Sequence, residues 1–244
     1  GAGFVDFYNY QKQTEQLPAY QHRGLHIYDS IDYALNMFNV PFCTYGGELD
    51  AQLAASTRMI ERGKELGVES KLLIGPGMGH KFHPDSYKEF MEFHTARSKE
   101  GRPGFPGRKE IRFVTWTLKY SRCEWLTIEE MITPYEETLA EGGLDDDGVL
   151  RLTTKNIAAM KIARDIADRI EIDGKNLQLR SAADGLLPDV YFEQSGDGWS
   201  LLDYDDSIAF AENSGLHKRH NLQGPIDDAF MESFVCVRGT GEPW

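Results

Sequence analysis

Two side chains capable of acid–base chemistry, Asp50 and His80, each follow a short apolar run that ends in glycines. The first run, Val40–Tyr45, is followed by two glycines and then by Asp50. The second run, Leu72–Ile74, ends in a glycine-rich turn with His80 just beyond it. A carboxylate can hold an imidazole in one tautomer, and that imidazole can then accept a proton and return it. The two positions therefore indicate a paired acid–base site if the fold brings both turns together.

The segment between the two runs decides where these turns lie. Residues 51–66 have the apolar spacing of a helix, and Gly67 ends it. Two strands joined by one helix form a right-handed parallel crossover, so both strands end at the same edge of a sheet. In open α/β sheets that carboxyl edge is where sites lie. Taken singly, Asp50 reads as a helix cap and His80 as a surface loop residue; their order on successive strand ends favours a shared site.

These two turns carry a family resemblance. The segments Pro41–Asp50 and Lys71–Pro84 resemble the acid and histidine loops of prolyl-oligopeptidase-like serine hydrolases, and the resemblance extends over residues 1–100. In α/β-hydrolases the chain order is nucleophile, then acid, then histidine. The resemblance implies that Asp50 orients His80, and that His80 acts as general base and acid on a peptide or ester substrate through an acyl-enzyme. It implies no cofactor.

The nucleophile of such a triad is not evident in the chain. No Gly-x-Ser-x-Gly motif occurs, and no serine has the strand–turn–helix setting of a nucleophile elbow. Because the nucleophile comes first in the family's order, we expect it upstream of Gly1, in a missing N-terminal part of the hydrolase. The chain would then be the C-terminal part of a serine peptidase and inactive by itself.

Composition limits the other function classes. The chain has 244 residues and a net charge of −13, of which −3 falls in residues 1–100. An acidic second half argues against nucleic acid and anionic membranes as partners, and no segment is long and apolar enough to span a membrane. Cys43, Cys123 and Cys236 are too few and too far apart for a disulfide framework or a zinc signature. His80 and His83 form a His-x-x-His pair without a third ligand at zinc spacing, so we predict no metal site.

A run rich in glycine and proline, residues 101–107, marks the clearest boundary and is predicted to be a linker. Residues 108–244 contain many short apolar runs separated by turn signals, two of them hairpins around Asp-Gly, which favours a β-sandwich. The predicted fold class is therefore α/β plus mainly-β: a partial α/β-hydrolase parallel sheet with helices, then an antiparallel β-sandwich-like domain. Strands are predicted over residues 111–120, 125–128, 149–154 and 234–237. Residues 170–177 are predicted to form one hairpin, and residues 190–194 and 199–202 the two arms of another. Residues 157–162 suit either strand or helix.

Two expectations concern partners. Gly3–Phe7 reads as the end of a preceding hydrolase strand. An open sheet edge there would template another chain, so we expect self-association as a homo-oligomer through this edge. The alternative is that the aromatic stretch up to Tyr28 folds back over the edge and the chain is a monomer. The alternative function is a non-catalytic binding or interaction module, in which the acidic β-rich region holds a partner and the hydrolase-like part is scaffold.

Overall fold

The computed structural model describes residues 3–178, 187–212, 235–237, 239 and 241. The α-helices are α1 Phe7–Gln11, α2 Ala19–Leu25, α3 Leu53–Glu65, α4 Pro84–Glu100 and α5 Tyr204–Ala211, with 3₁₀ helices at Ser30–Phe38, Leu118–Tyr120 and Arg164–Ile166. The strands are β1 Cys43–Gly47, β2 Lys71–Gly75, β3 Glu110–Thr115, β4 Arg122–Cys123, β5 Leu126–Met131, β6 Thr138–Leu144, β7 Val149–Lys155, β8 Ile157–Ala163, β9 Arg169–Ile172, β10 Lys175–Gln178, β11 Asp189–Ser195 and β12 Gly198–Leu201. The fold is thus mixed α/β with a large share of β-structure.

The first part is built around a strand–helix–strand unit. Strands β1 and β2 pair in parallel, in a register that sets Cys43 opposite Lys71 and Gly47 opposite Gly75. Helix α3 crosses between them and buries Ile60. The predicted crossover over residues 40–74 is confirmed, and it places the two strand ends side by side. Within the described residues this sheet has only these two strands.

Two five-stranded sheets make up the second part. One has the order β10-β9-β7-β6-β3, and the other has the order β12-β11-β8-β5-β4. Residues of both sheets contribute to one apolar cluster that includes Ile111, Leu150, Met160 and Phe192. Residues 157–162, for which the sequence allowed either a strand or a helix, lie in strand β8. The expectation of wholly antiparallel pairing is wrong at one place, because Val149–Leu152 of β7 pairs in parallel with β9.

Several local predictions are corrected by the structure. Phe7 begins a helix rather than ending a strand, because the Asp6 carboxylate accepts a hydrogen bond from the Asn9 amide (3.1 Å) and caps α1. The long strand predicted to reach Tyr120 ends at Thr115. Residues 235–237 have no regular secondary structure, and residue 234 of that predicted strand lies outside the described residues.

Two asparagine side chains join the two parts. The Asn36 amide donates to the Val114 carbonyl (2.8 Å) and accepts from the Val114 N–H (2.9 Å). Asn39 does the same with the backbone of Arg112, at 2.8 and 3.0 Å. Because β3 is the outer strand of its sheet, these amides occupy backbone groups that a neighbouring strand would otherwise pair. Residues on both sides of the predicted 101–107 linker are therefore in direct contact.

Candidate acid–base site

The structure brings the two predicted site residues together. The Nδ1 atom of His80 lies 2.9 Å from Oδ2 of Asp50, across thirty residues of sequence. Asp50 follows β1 and His80 follows β2, so the parallel pairing of these strands sets the distance. The Asp50 side chain is 15% exposed and the His80 side chain is 64% exposed. The Asp50 carboxylate is therefore largely shielded from solvent, whereas most of the His80 imidazole is exposed.

The electrostatics of Asp50 fix the direction of this hydrogen bond. The Gln52 amide donates to Oδ1 of Asp50 (2.9 Å), at the start of α3. That bond holds the pKa of Asp50 below its ordinary value against partial desolvation, and His80 lowers it further. An ionised carboxylate only accepts hydrogen bonds, so Nδ1 of His80 carries the hydrogen. The other ring nitrogen, Nε2, is then the one able to accept a proton. Asp50 thus binds both the amide of Gln52, the residue just before α3, and the ring of His80.

Tyr45 holds the histidine loop from below, a role that sequence reasoning missed. Its hydroxyl donates to the Lys81 carbonyl (2.9 Å) and accepts from the His83 amide (2.9 Å). Its ring stacks on Phe82 at a centroid distance of 4.2 Å. A side chain at Gly75 would collide with the Tyr45 hydroxyl. The sequence signal for this role is an aromatic residue in one strand and a glycine near the end of the next. This signal identifies the contact only once the register of the two strands is known.

The turn after β1, residues 48–50, and the turn after β2, residues 76–80, also form hydrogen bonds with each other. Leu49 N–H donates to the Met78 carbonyl (2.8 Å). The Glu48 carboxylate accepts from the Gly77 amide (2.7 Å). A Cβ at Gly47 would collide with the carbonyls of the 78–79 turn. The two turns are therefore one packed unit, and glycine at position 47 permits their close approach.

A cavity of about 290 Å³ lies beside the pair and is lined by β1 residues, Gln52, Ser56 and residues 80–82. Two of its lining residues, Cys43 and Ser56, carry groups that could act as nucleophiles. Burial raises the pKa of the Cys43 thiol, so this group stays protonated, whereas a reactive cysteine needs a lowered pKa. The Ser56 hydroxyl lies 2.8 Å from Thr44 Oγ1 and 3.3 Å from the Tyr45 carbonyl. The Ser56 hydroxyl is therefore engaged in the local structure.

A second cavity, of about 480 Å³, adjoins the start of α3. Its wall includes the stacked rings of Phe4 and Tyr10, whose centroids are 4.9 Å apart. Gln52 lines both cavities. Phe4 and Tyr10 thus form part of the wall of this second cavity. The same wall includes Arg58, whose guanidinium lies 3.4 Å from the Asp6 carboxylate.

The other histidines near the turn have separate roles. His83 caps α4 by accepting a hydrogen bond from the Asp85 amide (3.3 Å). The ring of His94 packs on Phe90, at a centroid distance of 4.3 Å. In the part of the chain that the structure describes, no group of three or more His, Cys, Asp or Glu side chains converges as a metal site would.

Comparison with known proteins adds no assignment. No family model, no curated protein and no solved structure matches this chain. Among the described helices, none has the length and apolar character needed to cross a bilayer. What the site can do chemically therefore has to be argued from the Asp50–His80 geometry.

Proposed function

We propose that Asp50 and His80 are the acid and the histidine of a Ser-His-Asp hydrolase site that acts on peptide or ester bonds. The observation that carries this proposal is the 2.9 Å contact between Nδ1 of His80 and the Asp50 carboxylate, with the rest of the imidazole exposed. A charged acceptor on Nδ1 leaves Nε2 as the basic nitrogen, which is the arrangement that serine hydrolysis uses. The resemblance of both turns to prolyl-oligopeptidase-like enzymes supports the same assignment.

In this proposal each residue has one task. Nε2 of His80 takes the proton of a serine hydroxyl as that oxygen attacks the substrate carbonyl, and a tetrahedral intermediate forms. The same nitrogen then gives the proton to the leaving amine or alcohol, which leaves an acyl-enzyme. Water repeats the cycle and releases the acid. Asp50 stays ionised throughout and stabilises the imidazolium.

We place the serine of this scheme outside the 244 residues, because no Gly-x-Ser-x-Gly motif occurs among them. Ser56, which lies in the cavity beside the pair, has its hydroxyl bonded within the local structure. Among the described residues the hydrogen-bond partner of His80 is Asp50. The exposed edge of the imidazole is thus available to a nucleophile carried by another segment. The 290 Å³ cavity next to it has room for part of a substrate.

The test uses the product of the full reading frame and a fluorophosphonate probe, which labels serines activated by a neighbouring base. We expect the parent protein to be labelled, and His80→Ala to slow labelling by roughly 10³-fold because the general base is lost. Asp50→Ala should slow it strongly as well. His94→Ala is the matched control, since that histidine lies on α4 against Phe90, and its labelling rate should equal that of the parent.

Two results would overturn the proposal. One is unchanged labelling in His80→Ala, which would show that the labelled serine is activated elsewhere. The other is an unlabelled and inactive parent protein whose folding is intact. Hydrolysis of activated esters by the 244-residue chain alone would instead contradict the placement of the serine outside it, because a nucleophile would then lie within these residues.

A further inference from the structure

Residues 101–127, at the start of the second part, have a net charge opposite in sign to that of the whole chain. Residues 101–127 contain six Lys or Arg and two Glu, a net of +4 within a chain of −13. The net charge of the second half as a whole is negative, so this basic stretch is not apparent from the overall composition. Three of these cations, Arg102, Lys119 and Arg122, line one surface, and a local excess of positive charge favours an anion there.

Part of this segment folds around two adjoining hollows of about 530 and 520 Å³. Phe105, Arg122 and Glu124 line both, so the hollows form one groove at the β4–β5 side of the second sheet. Lys119 and Lys161 lie in the first hollow, and Arg102 lies in the second. Four cationic side chains thus border the groove, and one of them, Lys161, is already paired with Glu129 at 2.6 Å.

Glu124 organises the cationic rim of the groove. Its side chain is 10% exposed and lies against Gly107, where a Cβ would collide with the carboxylate. The carboxylate lies 3.5 Å from the guanidinium of Arg102, whose side chain is 83% exposed. One nitrogen of the Arg102 guanidinium is therefore held by Glu124, while most of the side chain is exposed to solvent. Such a fork pairs with an incoming carboxylate through two parallel hydrogen bonds.

The groove also presents aromatic faces. Phe105 is 71% exposed and Tyr120 is 52% exposed, and both line the first hollow. The Tyr120 ring is steadied by an edge contact with Tyr33, at a centroid distance of 6.0 Å. Exposed aromatic rings next to arginines are the residue types that dominate protein-recognition surfaces.

We propose that this groove, bordered by Arg102, Phe105, Tyr120 and Arg122, binds an acidic peptide segment that carries apolar side chains between its carboxylates. The arginines would hold the carboxylates and the rings would cover the apolar groups. Two carboxylates in the lining, Glu124 and Asp189, disfavour a ligand with a charge on every unit, such as nucleic acid. The inference does not depend on the proposed hydrolase activity.

The test is fluorescence anisotropy with the full chain and a short fluorescein-labelled peptide of Glu and Phe. We expect the Arg102→Gln, Arg122→Gln double variant to weaken binding about tenfold or more, since two charge-assisted contacts with the peptide carboxylates are lost. Phe105→Ala should weaken it as well. Arg97→Gln is the matched control, because it removes an exposed arginine on α4, and it should leave the affinity unchanged. Circular dichroism of each variant checks that the fold is kept.

Three outcomes would overturn the proposal. The first is equal affinity for a peptide in which Gln replaces every Glu, because charge recognition would then be absent. The second is an affinity for the acidic peptide that the double variant and Phe105→Ala leave unchanged. The third is tighter binding of a single-stranded oligonucleotide than of the acidic peptide, which would assign the groove to nucleic acid.

Discussion

Asp29 gives the sharpest prediction, because its ionisation opposes folding. The residue is 6% exposed, and burial raises its pKa from 3.8 to about 6, with the neighbouring carboxylates Asp32 and Asp6 adding to the rise. A raised carboxyl pKa means that the folded state holds its proton more tightly than the unfolded state. Stability from this group is therefore greatest below the unfolded pKa and is lost as pH rises from about 4 to about 6. A shift of about two units corresponds to roughly 3 kcal/mol.

Asp29→Asn removes this penalty and keeps an oxygen for the Phe7 amide, which donates to Asp29 Oδ1 at 3.0 Å. We expect the variant to gain roughly 2–3 kcal/mol of unfolding free energy at about pH 7.5 and almost nothing at about pH 4. Urea unfolding at both pH values measures the difference. Asp146→Asn, at an exposed turn, is the control and should change little. A gain that is the same at both pH values, or a loss at the higher one, would refute the reasoning.

Three further substitutions test the architecture around the site. Asn39→Ala should cost about 2–3 kcal/mol in urea unfolding because two hydrogen bonds to Arg112 are lost, whereas Asn176→Ala on an exposed strand should cost less than about 0.5 kcal/mol. Tyr45→Phe keeps the ring but removes both loop hydrogen bonds, so the His83 amide should exchange with solvent about tenfold faster or more in hydrogen-exchange NMR. Gly47→Ala should separate the two turns and abolish the Asp50–His80 hydrogen bond, which ¹⁵N NMR of the imidazole detects. Variants indistinguishable from the parent in these measurements would contradict the corresponding contacts.

The parts of the fold that follow from local patterns could be predicted from the sequence. The crossover over residues 40–74 is encoded by two apolar runs, a helical face and glycine breaks, all within one short stretch. The Asp-Gly hairpin at Asp173-Gly174 is equally local, since both residues adopt the positive φ that such a turn needs. The meeting of Asp50 and His80 then follows, because parallel strands of similar length end together.

The remaining features depend on partners that are distant in sequence. The strand from Glu110 ends early because the Thr115 hydroxyl donates to the Thr117 carbonyl (2.8 Å) and turns the chain into a 3₁₀ helix. The parallel pairing of β7 with β9 depends on a crossover through β8, which lies in the other sheet. No hydropathy pattern distinguishes Asn36 and Asn39 from solvent-facing amides. Their role appears only when the outer strand β3 is placed beside them.

These distant contacts also bear on the site. The 3₁₀ helix Ser30–Phe38 leads almost directly into β1, and Asn39 lies in the connection between them. Its hydrogen bonds to β3 fix one end of a short segment whose other end carries Asp50. Asp50 is in turn fixed by the Gln52 amide, so the carboxylate needs no nucleophile to keep its position. The acid and histidine half of the proposed triad is therefore preorganised by this chain, and a serine brought to its exposed edge would meet an imidazole already oriented to accept its proton.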